Sequence, residues 1–169
     1  RNSTMTKFQP IDKSYSDQME DLTNLYLPEL GVSIQEYWNE KYAVAFGALN
    51  ENNKLIGFVM GDMEPEDECD WEKLEDEKLD PDNMFCVTLL VVHENYRRYG
   101  IGRRLMEMIA NPAVCKPVAG VCALFLHVDP RKTVAREFYR SLGYTDLQLI
   151  ENYYDEKPPR DAYLMYRRT

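Results

Sequence analysis

Tyr-Arg-Arg-Tyr-Gly-Ile-Gly-Arg-Arg-Leu, at residues 96–105, is the stretch that decides the fold. Residues 85–92 before it are apolar and rich in β-branched side chains, which predicts a buried strand. The apolar residues after the turn recur at the spacing of one helix face: Ile101, Leu105, Met108 and Ile109. Because two glycines keep side chains out of the turn, backbone N–H groups at the helix start can approach an anion closely. The order of strand, glycine turn and helix therefore predicts an anion site.

Four arginines lie in this turn, and their planar guanidinium groups are well suited to phosphate. The turn is not a Walker A loop, which would carry Lys-Ser or Lys-Thr directly after its last glycine. It also lacks the third glycine of a dinucleotide fingerprint, because Leu105 occupies that position. The stretch indicates a phosphorylated ligand of another class, and the alternative is a basic turn that binds nothing.

The composition is typical of a soluble globular protein. The 169 residues suit one domain with a sizeable core, and 44% of them are hydrophobic and 29% charged. No apolar run approaches the roughly 18 residues of a membrane span and no secretory signal opens the chain, so we expect a cytoplasmic protein without a membrane partner. Met5 is a candidate natural start, with residues 1–4 added ahead of it, and the domain is expected over residues 5–169.

Negative charge is concentrated in one segment. Between Asp62 and Asp82 the chain carries twelve acidic residues and two lysines, a charge of −10 against −9 for the whole chain. The remainder is near neutral, which disfavours nucleic acid as a partner. We expect a solvated insertion at about residues 62–83, between the third and fourth strands, that the fold does not need. The alternative is a short helix with one docking face, carrying Trp71, Leu74 and Leu79.

Hydrophobic periodicity predicts seven strands and four helices in the order β-α-α-β-β-β-α-β-α-β-β. The strands are expected at about residues 8–11, 43–49, 54–61, 85–92, 121–128, 145–151 and 162–166. Capping signals at Asp17, Ser33 and Thr133 mark three helix starts, and the second helix is expected to reach about Lys41. This order predicts a single α/β domain, with a mixed, mostly antiparallel seven-stranded sheet and helices on both faces.

With this order of elements in view, the glycine turn, Arg97-x-x-Gly100-x-Gly102, resembles the acyl-CoA loop of the GCN5-related N-acetyltransferases. Residues 138–144, Phe-Tyr-Arg-Ser-Leu-Gly-Tyr, are similar to a segment that follows this loop in that superfamily. Four shorter segments narrow the resemblance to the protein N-terminal acetyltransferases: residues 27–29, 126–128, 151–154 and 161–165. The resemblance covers roughly residues 7–167, with the acidic segment as an excursion.

The resemblance implies acetyl-CoA as the cofactor and the α-amine of a protein or peptide N-terminus as the acceptor. It implies that the fourth strand splays from the fifth near its end, which frees backbone N–H groups for the acetyl carbonyl. The residues that it assigns to acetyl-CoA are Leu90, Val91, Val92, Arg97, Arg98, Tyr99, Gly100, Ile101, Gly102 and Arg103. The residues that it assigns to a peptide groove are Leu27, Pro28, Glu29, Tyr153 and Tyr154.

The resemblance assigns the catalytic steps to two further residues. A neutral amine attacks a thioester directly, so the enzyme must take up the amine's proton and donate to the departing thiolate. His127 stands where the family has its base, and Tyr139 stands where it has a tyrosine near the CoA sulfur. The alternatives are a core histidine and an aromatic ring that only packs against its neighbour.

Two positions depart from the family. Phe85 stands where some members have a tyrosine that helps as base, and phenylalanine cannot carry a proton, so the burden falls on His127 or on water. Residues 129–132, Asp-Pro-Arg-Lys, stand where the family often has an asparagine that contacts CoA. Lys132 is the candidate for a contact with a CoA phosphate in its place.

Three functions are open on the sequence alone. The first is acetylation of protein N-termini, which allows for an auxiliary or ribosome-docking subunit as a partner. The second is acetylation of small cationic amines such as polyamines, which the acidic segment would attract. The third is a non-catalytic acyl-CoA-binding module, which Phe85 suggests. The four cysteines show no metal-ligand spacing, so we expect reduced thiols and no metal.

Overall fold

The structure, a computed structural model, describes residues 5–63, 70–154 and 160–169. Residues 1–4, residues 64–69 of the acidic run, which include Cys69, and residues 155–159 ahead of the last strand lie outside the described residues. The side chain of Trp71 also lies outside them. Within the described ranges, no helix is both long enough and apolar enough to cross a membrane.

Seven strands of the described chain form one sheet. They are β1 (Lys7–Ile11), β2 (Val44–Leu49), β3 (Leu55–Asp62), β4 (Met84–Val92), β5 (Ala123–Val128), β6 (Thr145–Tyr154) and β7 (Arg160–Arg168). Their order across the sheet is β1-β2-β3-β4-β5-β7-β6, which leaves β1 and β6 as the edges. The pairs β1–β2, β2–β3, β5–β7 and β6–β7 are antiparallel, and β4 pairs with β5 in parallel. The predicted seven-stranded, mostly antiparallel sheet is confirmed.

Five α-helices connect these strands in the described part of the chain. They are α1 (Ser16–Tyr26), α2 (Ile34–Tyr37), α3 (Trp71–Asp76), α4 (Ile101–Ile109) and α5 (Thr133–Ser141). Four of them are the predicted helices, although α2 is a single turn that ends before the expected Lys41. The fifth, α3, lies in the acidic segment.

The predicted start of α1 is wrong by one residue. Helix α1 begins at Ser16, so Asp17 is inside the helix and does not cap it. The capping bond belongs to the short 3-10 turn ahead of α1, where the Asp12 carboxylate accepts from the Ser14 N–H at 3.0 Å. The 3-10 turn leads directly into the helix, which leaves Asp17 no terminal N–H group to accept from.

The starts of α2 and α5 also differ from their predicted caps. Ser33 precedes α2 but makes no side-chain capping bond. The Glu20 carboxylate of α1 accepts from the Ile34 N–H at 3.1 Å instead, so one helix caps the next. Thr133 is the first residue of α5, and Lys132 occupies the cap position without a side-chain bond.

The first of two compact units comprises Arg1–Asp62 and Val87–Ala119. In this unit α1 packs against β3, and α4 packs against β2 and β3. All of β3 is buried, which agrees with its run of apolar residues. The core of the unit consists of Ile11, Met19, Leu22, Ile34, Ala45, Leu49, Leu55, Phe58, Met60, Leu89 and Val91.

Gly57 of β3 lets the end of β4 and the start of α4 come close. A Cβ atom on Gly57 would lie 3.2 Å from the Val91 carbonyl oxygen and 3.4 Å from the Val92 side chain. The same atom would lie 3.5 Å from the side chain of Ile101, the first residue of α4. Only glycine permits this approach without displacement of its neighbours.

The second compact unit comprises Met63–Cys86 and Gly120–Thr169. Its β6 and β7 form a hairpin, and β7 also pairs with β5 along the whole of that strand. Phe85 of β4 is fully buried here, opposite Leu124 of β5. The core of the unit consists of Leu74, Leu79, Met84, Ala123, Phe125, Ile150 and Leu164.

The acidic segment contributes to this second core. Leu74 of α3 is only 2% exposed and Leu79 only 6% exposed. The Tyr166 hydroxyl of β7 donates to the Glu77 carboxylate at 2.9 Å. These contacts contradict the expectation that the fold does not need this segment, and they favour the alternative of a docking helix. The acidic run hides this because its apolar residues are few among many charges.

We predict that Leu74→Ala destabilises the protein by about 2–5 kcal/mol, because it removes a buried side chain and leaves a cavity. Denaturant unfolding measures the change. Glu75→Ala is the matched control, since Glu75 lies on the same helix with an exposed side chain and should change stability by less than about 0.5 kcal/mol. Equal effects of the two substitutions would contradict the packing of α3.

Candidate active site

The turn between β4 and α4 begins with a fixed histidine. The N–H of His93, directly after β4, donates to the Ile56 carbonyl of β3 at 2.8 Å. Its Nδ1 accepts from the Asn95 N–H at 3.1 Å, which caps a single 3-10 turn at Glu94–Tyr96. The chain therefore enters the arginine-rich stretch from a defined position.

Gly100 and the first turn of α4 have the conformation expected of an anion site. Gly100 caps α4 with φ +79°, a left-handed conformation that favours glycine, and Arg98 has φ +67°. The Arg104 N–H donates to the Gly100 carbonyl at 3.0 Å, so the N–H groups of residues 101–103 point out of the helix start. A Cβ atom on Gly100 would find no described atom within 4 Å. The space before these N–H groups is therefore open to a phosphate, and the exposed side chains of Arg98 and Arg103 border it in sequence.

Arg97 holds the shape of the turn. Its Nε donates to the Val92 carbonyl at 2.9 Å, and its guanidinium carbon lies 4.5 Å from the ring centroid of Tyr26. The Tyr26 hydroxyl in turn accepts from the Glu94 N–H at 2.9 Å. Sequence reasoning missed Tyr26, because nothing in the sequence links the last residue of α1 to a turn that is 68 residues away.

The residues at the end of β4 alternate between two faces of the sheet. Val91 is buried in the first core, and Leu90 and Val92 are half-buried on the opposite face. The parallel pairing of β4 with β5 ends at Cys86 and Phe125. The predicted N–H donors, at residues 90–92, come after this last pair in β4. Their role toward an acetyl carbonyl stays a prediction.

The predicted base, His127, is in contact with one of the predicted groove residues. His127 lies in β5, opposite Leu164 of β7. Its ring is stacked on the ring of Tyr153, with the centroids 4.2 Å apart and 13° between the planes. The Tyr153 hydroxyl lies 3.3 Å from His127 Nδ1, and which of the two donates depends on the imidazole tautomer. The ring of Phe125 meets the His127 ring edge-on at 5.9 Å.

Tyr139 lies in α5 among aromatic rings. Its ring centroid is 5.4 Å from that of Phe138 and 6.2 Å from that of Tyr144. Burial raises the pKa of the Tyr139 phenol to about 12, so the hydroxyl keeps its proton near neutral pH. A protonated hydroxyl is the form that can donate a hydrogen bond to a thiolate.

Asp129 is a buried carboxylate, 4% exposed, that two arginines hold. Arg131 Nη2 donates to it at 3.0 Å, and Arg160 of β7 donates to the same oxygen. Burial opposes the charge of Asp129, but the hydrogen bonds from Arg131 and the charge of Arg160 outweigh burial and lower the pKa of the carboxyl. The guanidinium of Arg160 also lies 4.9 Å from the ring centroid of Tyr154. The sequence did not predict the ion pair of Asp129 with Arg160, because the two residues are 31 positions apart.

The predicted substrate loop is a tight turn after α1. The Leu27 N–H donates to the Thr23 carbonyl at 2.7 Å, and Pro28–Leu30 form one 3-10 turn that ends at Gly31 with φ +56°. The side chains of Leu27 and Leu30 pack against the first core, and Pro28 and Glu29 are exposed. Because Tyr26 directly precedes Leu27, the contact between Tyr26 and Arg97 joins this loop to the glycine turn.

The predicted site residues form one group in each unit. In the first unit, the glycine turn, the end of β4 and the substrate loop are connected. In the second unit His127 contacts Tyr153, and the Tyr153 ring meets that of Tyr154 at 88° with centroids 5.1 Å apart. The ring contacts of Tyr139 are with Phe138 and Tyr144 instead. Lys132 is exposed at the cap of α5. The described residues contain no group of three or more His, Cys, Asp or Glu side chains that could hold a metal ion.

Relatives and solved structures agree with this architecture. An N-alpha-acetyltransferase of Sulfurisphaera tokodaii is 27% identical over 153 residues, which cover 88% of this chain and 84% of the relative. N-alpha-acetyltransferase 50 of Danio rerio is 29% identical over 72 residues, so the match spans 43% of this chain and only 42% of that protein's length. The structure of Arabidopsis thaliana NAA60 in complex with acetyl-CoA has a TM-score of 0.78 at 20% identity, covers 96% of this chain and 98% of that chain, and shows the same fold.

The family described as the acetyltransferase (GNAT) family matches residues 10–144, which include both the glycine turn and the segment that contains His127 and Tyr139. This match covers most of the chain. The chain belongs to the acetyltransferase (GNAT) family of acetyl-CoA-dependent N-acetyltransferases.

Proposed function

We propose that this protein transfers an acetyl group from acetyl-CoA to the N-terminal α-amine of a protein or peptide. The observation that carries the proposal is the group of His127, Tyr153 and Tyr154, in which the His127 ring stacks on Tyr153 and the Tyr153 ring meets Tyr154 edge-on. In the family that the chain resembles, a base and a peptide groove occupy these positions. The same resemblance extends the proposal to an auxiliary or ribosome-docking subunit, and a cytoplasmic location is part of the proposal.

The glycine turn is proposed to bind the phosphates of acetyl-CoA, which supplies the acetyl group as a thioester. The open space at Gly100, the outward N–H groups of α4 and the arginines fit a diphosphate. Arg98, Tyr99 and Arg103 are exposed, whereas Arg97 acts mainly by holding the turn. Lys132 is an additional candidate for a phosphate contact because its side chain is exposed.

His127 is proposed to take up the proton that the amine loses. A peptide α-amine has a pKa near ~8, so an imidazole is a base of sufficient strength at neutral pH. The Tyr153 hydroxyl lies 3.3 Å from His127 Nδ1, within hydrogen-bond distance of the imidazole. Tyr154 is proposed to line the peptide groove together with Leu27, Pro28 and Glu29.

Tyr139 is proposed to donate a hydrogen bond to the departing sulfur. Because its pKa is about 12, complete transfer of its proton to a thiolate with an ordinary pKa of ~8.5 is unfavourable. A hydrogen bond from the phenol stabilises the developing negative charge without that transfer. Tyr139 is therefore proposed as the donor to the leaving thiolate, in the protonated form that it keeps near neutral pH.

The two alternative functions have less support. Phe85 suggested a non-catalytic module, but this residue is fully buried opposite Leu124, which is an ordinary place for a packing side chain, and His127 remains as a candidate base. The acidic segment suggested cationic small-molecule substrates, but Glu77 is engaged with Tyr166 and Arg168, and Leu74 and Leu79 are core residues.

A direct test offers the protein acetyl-CoA with a library of peptides that differ in their first residues, and in parallel with a panel of polyamines. Mass spectrometry locates the acetyl group. Acetylation of peptide α-amines supports the proposal, and acetylation of polyamines alone would replace it with the second function. Binding of acetyl-CoA without transfer to either panel would favour the non-catalytic module.

We predict that Gly100→Ala lowers the affinity for CoA at least tenfold, because the new Cβ would enter the space that a phosphate needs. Isothermal titration calorimetry measures the affinity. Gly120→Ala is the matched control: Gly120 has φ +85°, against +79° at Gly100, and also has open space at its Cβ position. The two substitutions impose the same backbone strain, so equal CoA affinities in the two variants would show that the glycine turn is not the site.

We predict that His127→Ala and His127→Gln each lower kcat by roughly 100-fold to 10,000-fold, because neither side chain can take up the amine's proton. Steady-state kinetics with the best peptide measure the loss. The CoA affinity of the His127 variants is the control: it should stay near the wild-type value, because the proposed phosphate contacts lie in the glycine turn and not at His127. Near wild-type turnover in a folded His127→Ala variant would reduce His127 to a packing residue.

We predict that Tyr139→Phe lowers kcat by roughly tenfold to a hundredfold, the value of one hydrogen bond to a charged group. Tyr144→Phe is the matched control, because the Tyr144 hydroxyl is buried nearby and has no hydrogen-bond partner among the described residues. Since the pKa of Tyr139 is raised to about 12, its donor form persists as pH rises, and kcat should show no loss from this residue below about pH 10. An alkaline loss below that pH that Tyr139→Phe removes would contradict the assignment.

A further inference from the structure

The irregular end of β6 has a feature that the proposed function does not yet use. Strands β6 and β7 pair at Ile150 with Ala162 and next at Tyr154 with Arg160. Between these pairs β6 has four steps and β7 has two, so β6 carries a bulge of two extra residues. Within the bulge, Asn152 is in the left-handed region at φ +54°. Tyr153 is the next residue of the bulge.

A carboxylate from the partner strand holds this bulge. The Asn152 N–H donates to Asp161 Oδ1 at 2.9 Å, across the hairpin. Asparagine tolerates the left-handed conformation better than most residues, and an N–H group with a charged acceptor stabilises it further. The conformation of the bulge is therefore fixed by Asp161 of β7.

The bulge brings Tyr153 from the edge strand onto β5. His127 belongs to β5 and pairs with β7, which lies between β5 and β6 in the sheet. The ring of Tyr153 nevertheless stacks on the His127 ring at 4.2 Å and 13°. Because β7 lies between β5 and β6, the two strands are about 10 Å apart, and the Tyr153 side chain has to extend across β7 from the irregular end of β6 to make this contact.

Tyr154, the residue after Tyr153, is held by a different contact, with Arg160. Tyr154 lies under the guanidinium of Arg160, which donates to the buried Asp129. Asp129 is two residues after His127, so the same short stretch that carries the histidine also anchors the hairpin. Both sides of the bulge are thus held relative to His127.

We infer that Tyr153 is a positioning residue for His127: its stacked ring fixes the imidazole, and the bulge at Asn152, held by Asp161, fixes Tyr153. This inference rests on the proposed function, because it assigns a role within that same site. An imidazole with one face covered cannot rotate about its χ2 bond without displacing the phenol ring. The ring nitrogens are therefore held in one orientation before the amine arrives.

The inference separates the two neighbouring tyrosines. Tyr153 acts through His127, so its loss changes kcat more than KM. Tyr154 is proposed to line the groove, so its loss changes KM more than kcat. A purely structural role of either residue would instead lower the amount of folded protein and leave both constants of the folded fraction unchanged.

The test compares Tyr153→Leu with Tyr153→Phe. The chain has two histidines, so proton NMR of the ligand-free protein shows two sets of imidazole signals, and His93→Gln assigns them. In the wild-type protein and in Tyr153→Phe, the stacked ring should shift the His127 signals upfield. In Tyr153→Leu this shift should disappear, while the His93 signals stay in place.

The kinetic result should follow the NMR result. Tyr153→Leu should lower kcat roughly tenfold to a hundredfold with KM changed much less, because a small misplacement of a catalytic group has effects of that size. Tyr153→Phe keeps the ring and should recover most of that loss. A Tyr153→Leu variant with unchanged kcat, or with the His127 shift retained, would overturn the inference.

A second pair of variants tests the bulge without a change to Tyr153. Asp161→Asn keeps an oxygen that can accept from the Asn152 N–H, whereas Asp161→Ala removes it. Asp161→Ala should abolish the upfield shift of the His127 signals and lower kcat. Asp161→Asn should keep most of that shift and most of the wild-type kcat. Equal behaviour of the two variants would overturn the role of Asp161.

The outcomes also separate this inference from the proposed function. A wild-type protein that acetylates no peptide would overturn the proposed function together with the inference. A wild-type protein that acetylates peptides and loses kcat in His127→Ala, but not in Tyr153→Leu, would overturn the inference alone.

Discussion

The close approach at Gly57 is the constraint on which the glycine turn depends. A strand inside a sheet ordinarily presents side chains that keep the next layer at a distance. At Gly57 the missing side chain allows the Val91 carbonyl, the Val92 side chain and Ile101 to occupy that space. The start of α4 is thereby fixed against β3, and with it the direction in which its first N–H groups point. A side chain at this position would first press on the Val91 carbonyl of β4, which lies nearest, and then on the helix start at Ile101.

The strands were predictable because their signals are local. Alternating or continuous apolar residues marked all seven, and the largest differences were at the ends of the last two strands, where polar residues hid the extent of the hairpin. The helix starts were less predictable because their partners are remote. The N–H of Ile34 is capped by Glu20 from another helix, and a 3-10 turn displaced the role expected of Asp17. Both signals had the right residue types, but a contact between two helices replaced the first cap and a local turn at Asp12 replaced the second.

The residues of the candidate site could be named from sequence motifs, but their contacts could not. Nothing local indicates that Arg97 bonds the Val92 carbonyl and packs over Tyr26, or that Asp129 pairs with Arg160. These contacts join residues from different elements, and in each case an apparently functional charge is used to hold a loop or a hairpin. The bulge in β6 was hidden for the same reason, because it exists only relative to the register of β7.

The position of this bulge has a consequence for association between chains. β6 is an edge of the sheet, and an edge strand offers unpaired N–H and C=O groups to which another chain can add a strand. A two-residue bulge with a left-handed asparagine breaks the straight, evenly spaced row of groups that such pairing requires. The irregularity at Asn152 thus protects this edge of the sheet from aggregation, at the point where the hairpin turns toward β5.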